Sequence, residues 1–352
     1  MTSYRGKTVK KGGKEVYDEV KLTNIPKFSD LKAEVNAIVK QCGWWDKYGV
    51  DWALNFLFLG LAGVGILFVR AHTVFGIVAG AFLMGWSHSL LATKAGHMAT
   101  HGSFTEDKKW SRPLSVVFVE IIGTFSEELA YDIHIKEHHP YTNIIGIGDS
   151  STWKVPSLPR YIYMFFAPLL LPPVTPLVSI AGLVEKRSFL GLAKYLIRGI
   201  GGLALQAYIV SACANITATQ ALLVLWLARA MFSISYIHVN IFQHIGLPMY
   251  SQENKPVRLY QMSTGVLNLP SNPILNYAFG HSIISCHVEH HLFPMLSDNM
   301  CLKIKPVVSS FLKKHGMPYN EKTYTNRLWH FIEKYDTLMV NAPPITHFVG
   351  LQ

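Results

Sequence analysis

WALNFLFLGLAGVGILFV, residues 52–69, is followed after only Arg70, Ala71, His72 and Thr73 by VFGIVAGAFLMGWSHSLLA, residues 74–92. A helix rises about 1.5 Å per residue, so some 18 or more apolar residues cover the roughly 30 Å hydrocarbon core of a bilayer. Two such runs joined by so short a link predict a tight helical hairpin across a membrane. The composition agrees: half of the 352 residues are apolar and only 15% are charged, too greasy a balance for an ordinary soluble chain.

Downstream, Tyr161–Val184 and Ile216–Tyr236 are further candidate spans, and Phe189–Val210, which carries Lys194 and Arg198, is a weaker one between them. Three crossings there would leave everything after residue 237 on the far side of the membrane. Two would return it, so Phe189–Val210 is assigned to the interface. Pro113–Phe125 is apolar but too short to span and reads as an interfacial or buried helix. The expected fold is an all-α membrane protein with four transmembrane helices in two hairpins and a helical cap on the cytoplasmic face. Its expected divisions are an N-terminal arm (1–48), a membrane domain (49–300) and a C-terminal cap and tail (301–352). Arg229, inside the last span, is expected to snorkel to the interface.

Upstream of the hairpin lie Arg5, Lys7, Lys10, Lys11, Lys14, Lys21, Lys27, Lys32, Lys40 and Lys47, against Arg70 alone in the hairpin link. That asymmetry predicts a cytoplasmic N-terminus, and nothing at Met1 resembles a cleavable signal peptide. The net charge of +10 is spread through polar flanks without a nucleic-acid-binding motif, so the anionic membrane surface is the expected partner and nucleic acid is not. Cys42, Cys213, Cys286 and Cys301 show no paired spacing and imply no disulfide framework.

Sixteen histidines are present, and eight fall into three clusters. His97 and His101 form HxxxH, His134, His138 and His139 form HxxxHH, and His287, His290 and His291 form HxxHH. Spacings of three and four bring side chains to one face of a helix, so each cluster can aim its imidazoles at one point. A lone histidine on an apolar face is more often a hydrogen-bonded core residue, but three such clusters together are hard to assign to packing. Eight imidazoles are too many for one metal and suit two. Imidazole binds zinc, copper, iron and nickel alike, so the ligand type leaves the metal open. Glu137 and Glu289, beside these histidines, read equally as groups orienting an imidazole or as structural residues. The HExxH of zinc proteases is absent, and a zinc hydrolase is disfavoured. A catalytically silent protein that keeps the metal site is the alternative outside the enzymes.

Three histidine clusters distributed around two pairs of membrane spans resemble the membrane fatty acid desaturase family and its hydroxylase relatives. The third cluster continues as His287-Val288-Glu289-His290-His291-Leu292-Phe293-Pro294, similar to the family's most specific signature. The resemblance covers about residues 45–300. It implies a di-iron centre of two Fe ions in the cap that uses O2 and two electrons to remove hydrogens from a methylene pair of a lipid acyl chain. It further implies His244 as a ninth ligand and Asn240, four residues before it, reaching one metal through water. His88, His238 and His281 have no role in the family pattern and read as hydrogen-bonded structural histidines. The middle cluster departs from the pattern, with three residues between its first two histidines where two is commoner. Without an HPGG haem-binding segment, electrons are expected from a separate donor, cytochrome b5 with its reductase. The family implies an endoplasmic reticulum membrane. A lipid hydroxylase with the same ligand set is the alternative within the family.

Overall fold

The computed structural model describes residues 4–7, 17–20, 25–147 and 158–340, which are mostly helical. Much of the basic arm and residues 341–352 lie outside the described residues. Before the hairpin, α1 (Phe28–Gln41) buries Leu31 and Val35. The hairpin itself is α2 (Trp45–Val69) and α3 (Val74–Thr100). Its helices touch at Gly65 and Gly80, where an added Cβ would stand 2.9 and 2.5 Å from the other's carbonyl oxygen, a contact only small residues allow. The sequence reading ends the second helix near Ala92, but the structure carries it through His97 to Thr100. Lys94 continues the helix because it is buried in an ion pair with Asp51 (3.0 Å) and Asp298 (3.1 Å).

Residues 111–122 form α4 and residues 127–141 form α5. They make a hairpin that enters the bundle beside α3 and returns, with Thr124 at its tip in the left-handed region (φ 61°). The expected short, buried helix over Pro113–Phe125 is therefore present as the inward arm of this hairpin. α6 (Ile162–Glu185), α7 (Phe189–Ala214) and α8 (Ala218–Phe242) follow, the last opened by a capping box between Thr217 and Gln220. Together with α2 and α3 these are five helices long and apolar enough to cross a membrane.

Both ends of α6 meet elements on the side of the histidines. Before its start, Arg160 donates to the Ile332 carbonyl (2.7 Å) and pairs with Asp336. After its end, Lys186 pairs with Glu128 (2.7 Å) and Asp132 on α5. α7, assigned to the interface by the sequence reading, instead packs its Ala207, Val210 and Ala214 against Val69 of α2 and Ala221 of α8. Its C-terminal half thus reaches the end of the bundle where α2 turns into α3.

The cap is built from α9 (Arg258–Gly265), α10 (Pro273–Phe279), α11 (His287–Leu292), α12 (Asp298–Lys314) and α13 (Tyr324–Val340). Its core joins Leu31 and Val35 of α1 to Val288, Leu292, Val308 and Phe311. A short parallel pairing of Leu267–Asn268 with Asn320–Glu321 ties α9 to the approach to α13. Asp298, at the start of α12, joins cap to membrane hairpin through Lys94. Breaking such a buried ion group by removing one partner costs about 3–5 kcal/mol.

Arg229 does not snorkel. It lies near the middle of α8, 7% exposed, and donates from Nη1 to Thr124 Oγ1 (3.1 Å) and from Nη2 to Gln206 Oε1 (2.9 Å) and the Ile122 carbonyl (3.3 Å). The tip of the α4–α5 hairpin and α7 close over its guanidinium through these bonds.

Candidate metal centre

The three clusters and His244 converge in one place where α3, α5, α8 and α11 meet, but the clusters are not the units of the site. His97, His101, His134, His139 and His290 form one group, and His138, His244 and His291 form another with ligand atoms within 4.8 Å of one another. His287 joins the second group through Nε2 contacts with His244 (2.8 Å) and His291 (3.2 Å). Two of the three sequence clusters are thus divided between the groups, contrary to the expectation that each aims at one point.

The local helix geometry explains the division. From Tyr131 to His138 the turns of α5 widen to i→i+5 bonding, a feature that often marks functional sites. A widened turn brings residues five apart onto one side, and the His134 and His139 Nε2 atoms lie 3.1 Å apart. His138 is turned toward the other group, 3.3 Å from His291 Nε2. The extra residue in the middle cluster is accommodated by this widening. A similar wide turn over Leu90–Ala95 precedes His97.

Hydrogen bonding alone does not account for the contacts. In the first group His97, His134, His139 and His290 make successive Nε2 to Nε2 contacts of 2.9, 3.1 and 3.1 Å. A neutral imidazole carries one N–H, which points in one direction, so an Nε2 between two others cannot satisfy both. Nitrogens about 2.1 Å from one ion and at right angles about it stand roughly 3 Å apart, which matches the spacing found. The donor set therefore fits metal ions in both groups.

The rings are poised as neutral ligands. Burial first, and then the neighbouring imidazoles, hold His101, His134, His138, His139, His290 and His291 well below the ordinary histidine range. Burial pushes His287 down to about 4. Nδ1–H of His287 donates to the Ser282 carbonyl (3.0 Å), that of His244 to the Gly265 carbonyl (3.2 Å), and that of His291 to Thr142 Oγ1 (3.2 Å). Each bond assigns the proton to Nδ1 and leaves the Nε2 lone pair facing inward. The Nδ1 atoms of His134, His138 and His139 have no such partner among the described residues.

Several neighbours were not legible in the sequence. Thr142 donates to the His138 carbonyl (2.6 Å) while receiving His291. Asn143, in the left-handed region, donates to the carbonyls of His244, Pro248 and Gly265. No spacing signals either residue, because the contact of Thr142 with His291 and the three bonds of Asn143 each span more than a hundred positions. Glu289 accepts from Asn268 (3.0 Å) and Tyr319 (2.6 Å), so it anchors α11 rather than an imidazole, and burial pushes its carboxyl up to about 7. Glu137 is half-buried.

Asn240 donates back to the Tyr236 carbonyl of its own helix (3.0 Å), a bond that reaches none of the nine histidines. His238 is held by Tyr324 and the Met164 carbonyl, and His281 by Ser285, as structural histidines. His88 differs: it lines a cavity beside the first group, together with His97, His134 and Arg229.

The fatty acid desaturase family profile matches residues 71–323. The chain is similar to Fatty acid desaturase 6 of Bos taurus, 47% identical over 92% of this chain and 94% of that one, and to its human counterpart, 46% identical over 92% and 90%. A more distant similarity is to the Acyl-lipid (9-3)-desaturase of Borago officinalis, 29% identical over 28% of this chain and 24% of the other.

Proposed function

We propose a reaction for this chain from a premise the comparisons establish: it belongs to the fatty acid desaturase family of membrane oxidoreductases. It is an O2-dependent di-iron desaturase that introduces a double bond into the acyl chain of a lipid. The observation that carries this reading is the pair of contiguous imidazole sets, with Nε2 atoms 2.8 to 3.3 Å apart. One iron would be held by His97, His101, His134, His139 and His290, and the other by His138, His244, His287 and His291, with Asn240 acting through water.

When bound and reduced, the iron pair supplies the O2-dependent oxidising power that takes two hydrogens from adjacent methylenes. The chain's own residues do the rest. Buried neutral rings present lone pairs without first shedding protons. Val119, Phe125, Phe232 and Phe279 line the cavity beside His97 and His134, and such walls both exclude water and fix a flexible chain near the reactive centre. Electrons would come from cytochrome b5 and its reductase, docked on the basic cytoplasmic face.

The same reading orders the membrane. α2, α3, α7 and α8 cross, while α6, with both ends against elements of the histidine side, enters and returns. The links on the far side, residues 70–73 and 215–217, then carry Arg70 as their only Lys or Arg, whereas Lys186 and Arg187 fall on the cytoplasmic side. Both termini are cytoplasmic, in the endoplasmic reticulum membrane. Residues 1–48 form an arm, 49–300 the desaturase domain with the first part of the cap, and 301–352 the C-terminal part of the cap and the tail.

Metal analysis of protein purified in detergent from iron-replete cells tests the proposal. About two irons per chain are expected, falling sharply in His290→Ala plus His291→Ala. A well-folded preparation that retains no metal rejects the reading. Product mass then separates the chemistry, since desaturation removes two hydrogens and hydroxylation adds an oxygen.

A further inference from the structure

The cavity beside the first histidine group is not uniformly greasy. His97 and His134 line one part of it, and His88 and Arg229 line another. His88 precedes His97 by nine positions on the same helix, about 13 Å along its axis. The cavity volume of ≈ 140 Å³ is well above the roughly 10–15 Å³ that one water needs.

Arg229 is a buried cation inside a membrane helix, and residues of that kind are costly unless paired. Its described bonds all go to neutral groups: a hydroxyl, a side-chain amide and a backbone carbonyl. Three of its five N–H donors are used by them, and the buried Nε–H has no partner among the described residues. Pinning the α4–α5 tip to α7 would account for the three bonds made. It does not account for a full positive charge, since a neutral donor could make the same bonds at less cost. The methyl end of an ordinary acyl chain would leave that charge uncompensated.

We propose that the Arg229 and His88 end of this cavity binds a carboxylate carried by the acyl substrate. The inference rests on the desaturase reading for the identity of the chain that fills the cavity. A carboxylate ends a chain, whereas a phosphodiester continues past its charge and needs room on both sides. Nε–H of Arg229 donates to one carboxylate oxygen, and the His88 ring can donate to the other. The carboxylate has two possible sources: the head of a free long-chain acid, or the far end of an ω-carboxylated chain whose head is esterified. In either case the distance from this anchor to the histidines selects which carbons are reached.

Binding to the full-length protein in lipid nanodiscs, with empty nanodiscs as baseline, tests this without turnover. Hexadecanoic acid is compared with methyl hexadecanoate, and hexadecanoyl-CoA with its ω-carboxy counterpart. The compound with the carboxylate should bind roughly tenfold or more tightly than the partner lacking it in at least one pair, since a site built for a polar group rejects the analogue lacking it. Preference in the first pair assigns the head, and preference in the second assigns the far end. Arg229→Gln should bring that ratio close to one, and Arg229→Lys should keep part of it. Equal binding within both pairs in the unaltered protein overturns the proposal, as does a preference that survives in Arg229→Gln. If Arg229→Gln fails to fold, the unaltered protein's two ratios decide alone. Metal content of the same samples separates the readings, because missing iron with intact discrimination counts against the desaturase reading only.

Discussion

The two histidine groups lie side by side, yet they are held by different means. The first has five imidazoles, drawn from α3, α5 and α11, and its His134 and His139 rings have no Nδ1 partner among the described residues. The second has four, but Ser282, Gly265 and Thr142 fix three of the rings through Nδ1. One group relies on the number of its ligands and on the helices that carry them, the other on outer hydrogen bonds. The comparison teaches that a ligand count read from sequence does not measure how firmly a site is built.

The largest effect should come from removing a ligand where there are fewest. His287→Ala takes away the ring that touches both His244 and His291, and metal content should fall from about two ions to about one with loss of desaturated product. His139→Ala leaves four imidazoles in the first group and should keep more metal in iron-replete buffer. Equal losses in the two variants, measured by elemental analysis, would break the comparison.

Next in size is Lys94→Met. It leaves Asp51 and Asp298 buried without their cation, and thermal unfolding in detergent should show a loss of about 3–5 kcal/mol. Because Lys94 sits one turn before His97, chelator resistance should drop in the first group more than in the second.

Thr142→Val removes the acceptor for His291 Nδ1–H while keeping the side-chain shape. Loss of such an outer partner typically costs 10–100-fold in metal affinity, here confined to the second group, and competition with a chelator of known strength reads it. The smallest change is expected from Asn240→Ala, whose described bond goes to its own helix backbone. Stability should move by no more than about 0.5 kcal/mol. A fall in metal content in that variant would assign Asn240 its water-mediated role and make the second group the more richly supported of the two.

Much of this was legible along the chain. The hairpin at residues 52–92 announces itself by length and apolarity, and the eight clustered histidines by spacing, because both signals are local. What was misread depends on distant partners. Helix α3 outruns its apolar run because Asp51 and Asp298 neutralise Lys94, and Asp298 lies about two hundred positions away. Arg229 looked like a residue that would reach water, but the α4–α5 tip covers it. Phe189–Val210 is assigned to the interface for its two basic residues, and its packing on α2 and α8 depends on residues far along the chain.

By itself the sequence determined that the chain is a helical membrane protein with clustered histidines that could bind metal, since hydrophobic length and histidine spacing act within a few turns of helix. Tertiary structure decided how the imidazoles are shared. His138 and His139 are adjacent in sequence yet belong to different groups, and His290 and His291 are divided in the same way, because neighbouring residues on a helix point about a hundred degrees apart. Which ion each ring can face is then fixed by where α3, α5, α8 and α11 meet.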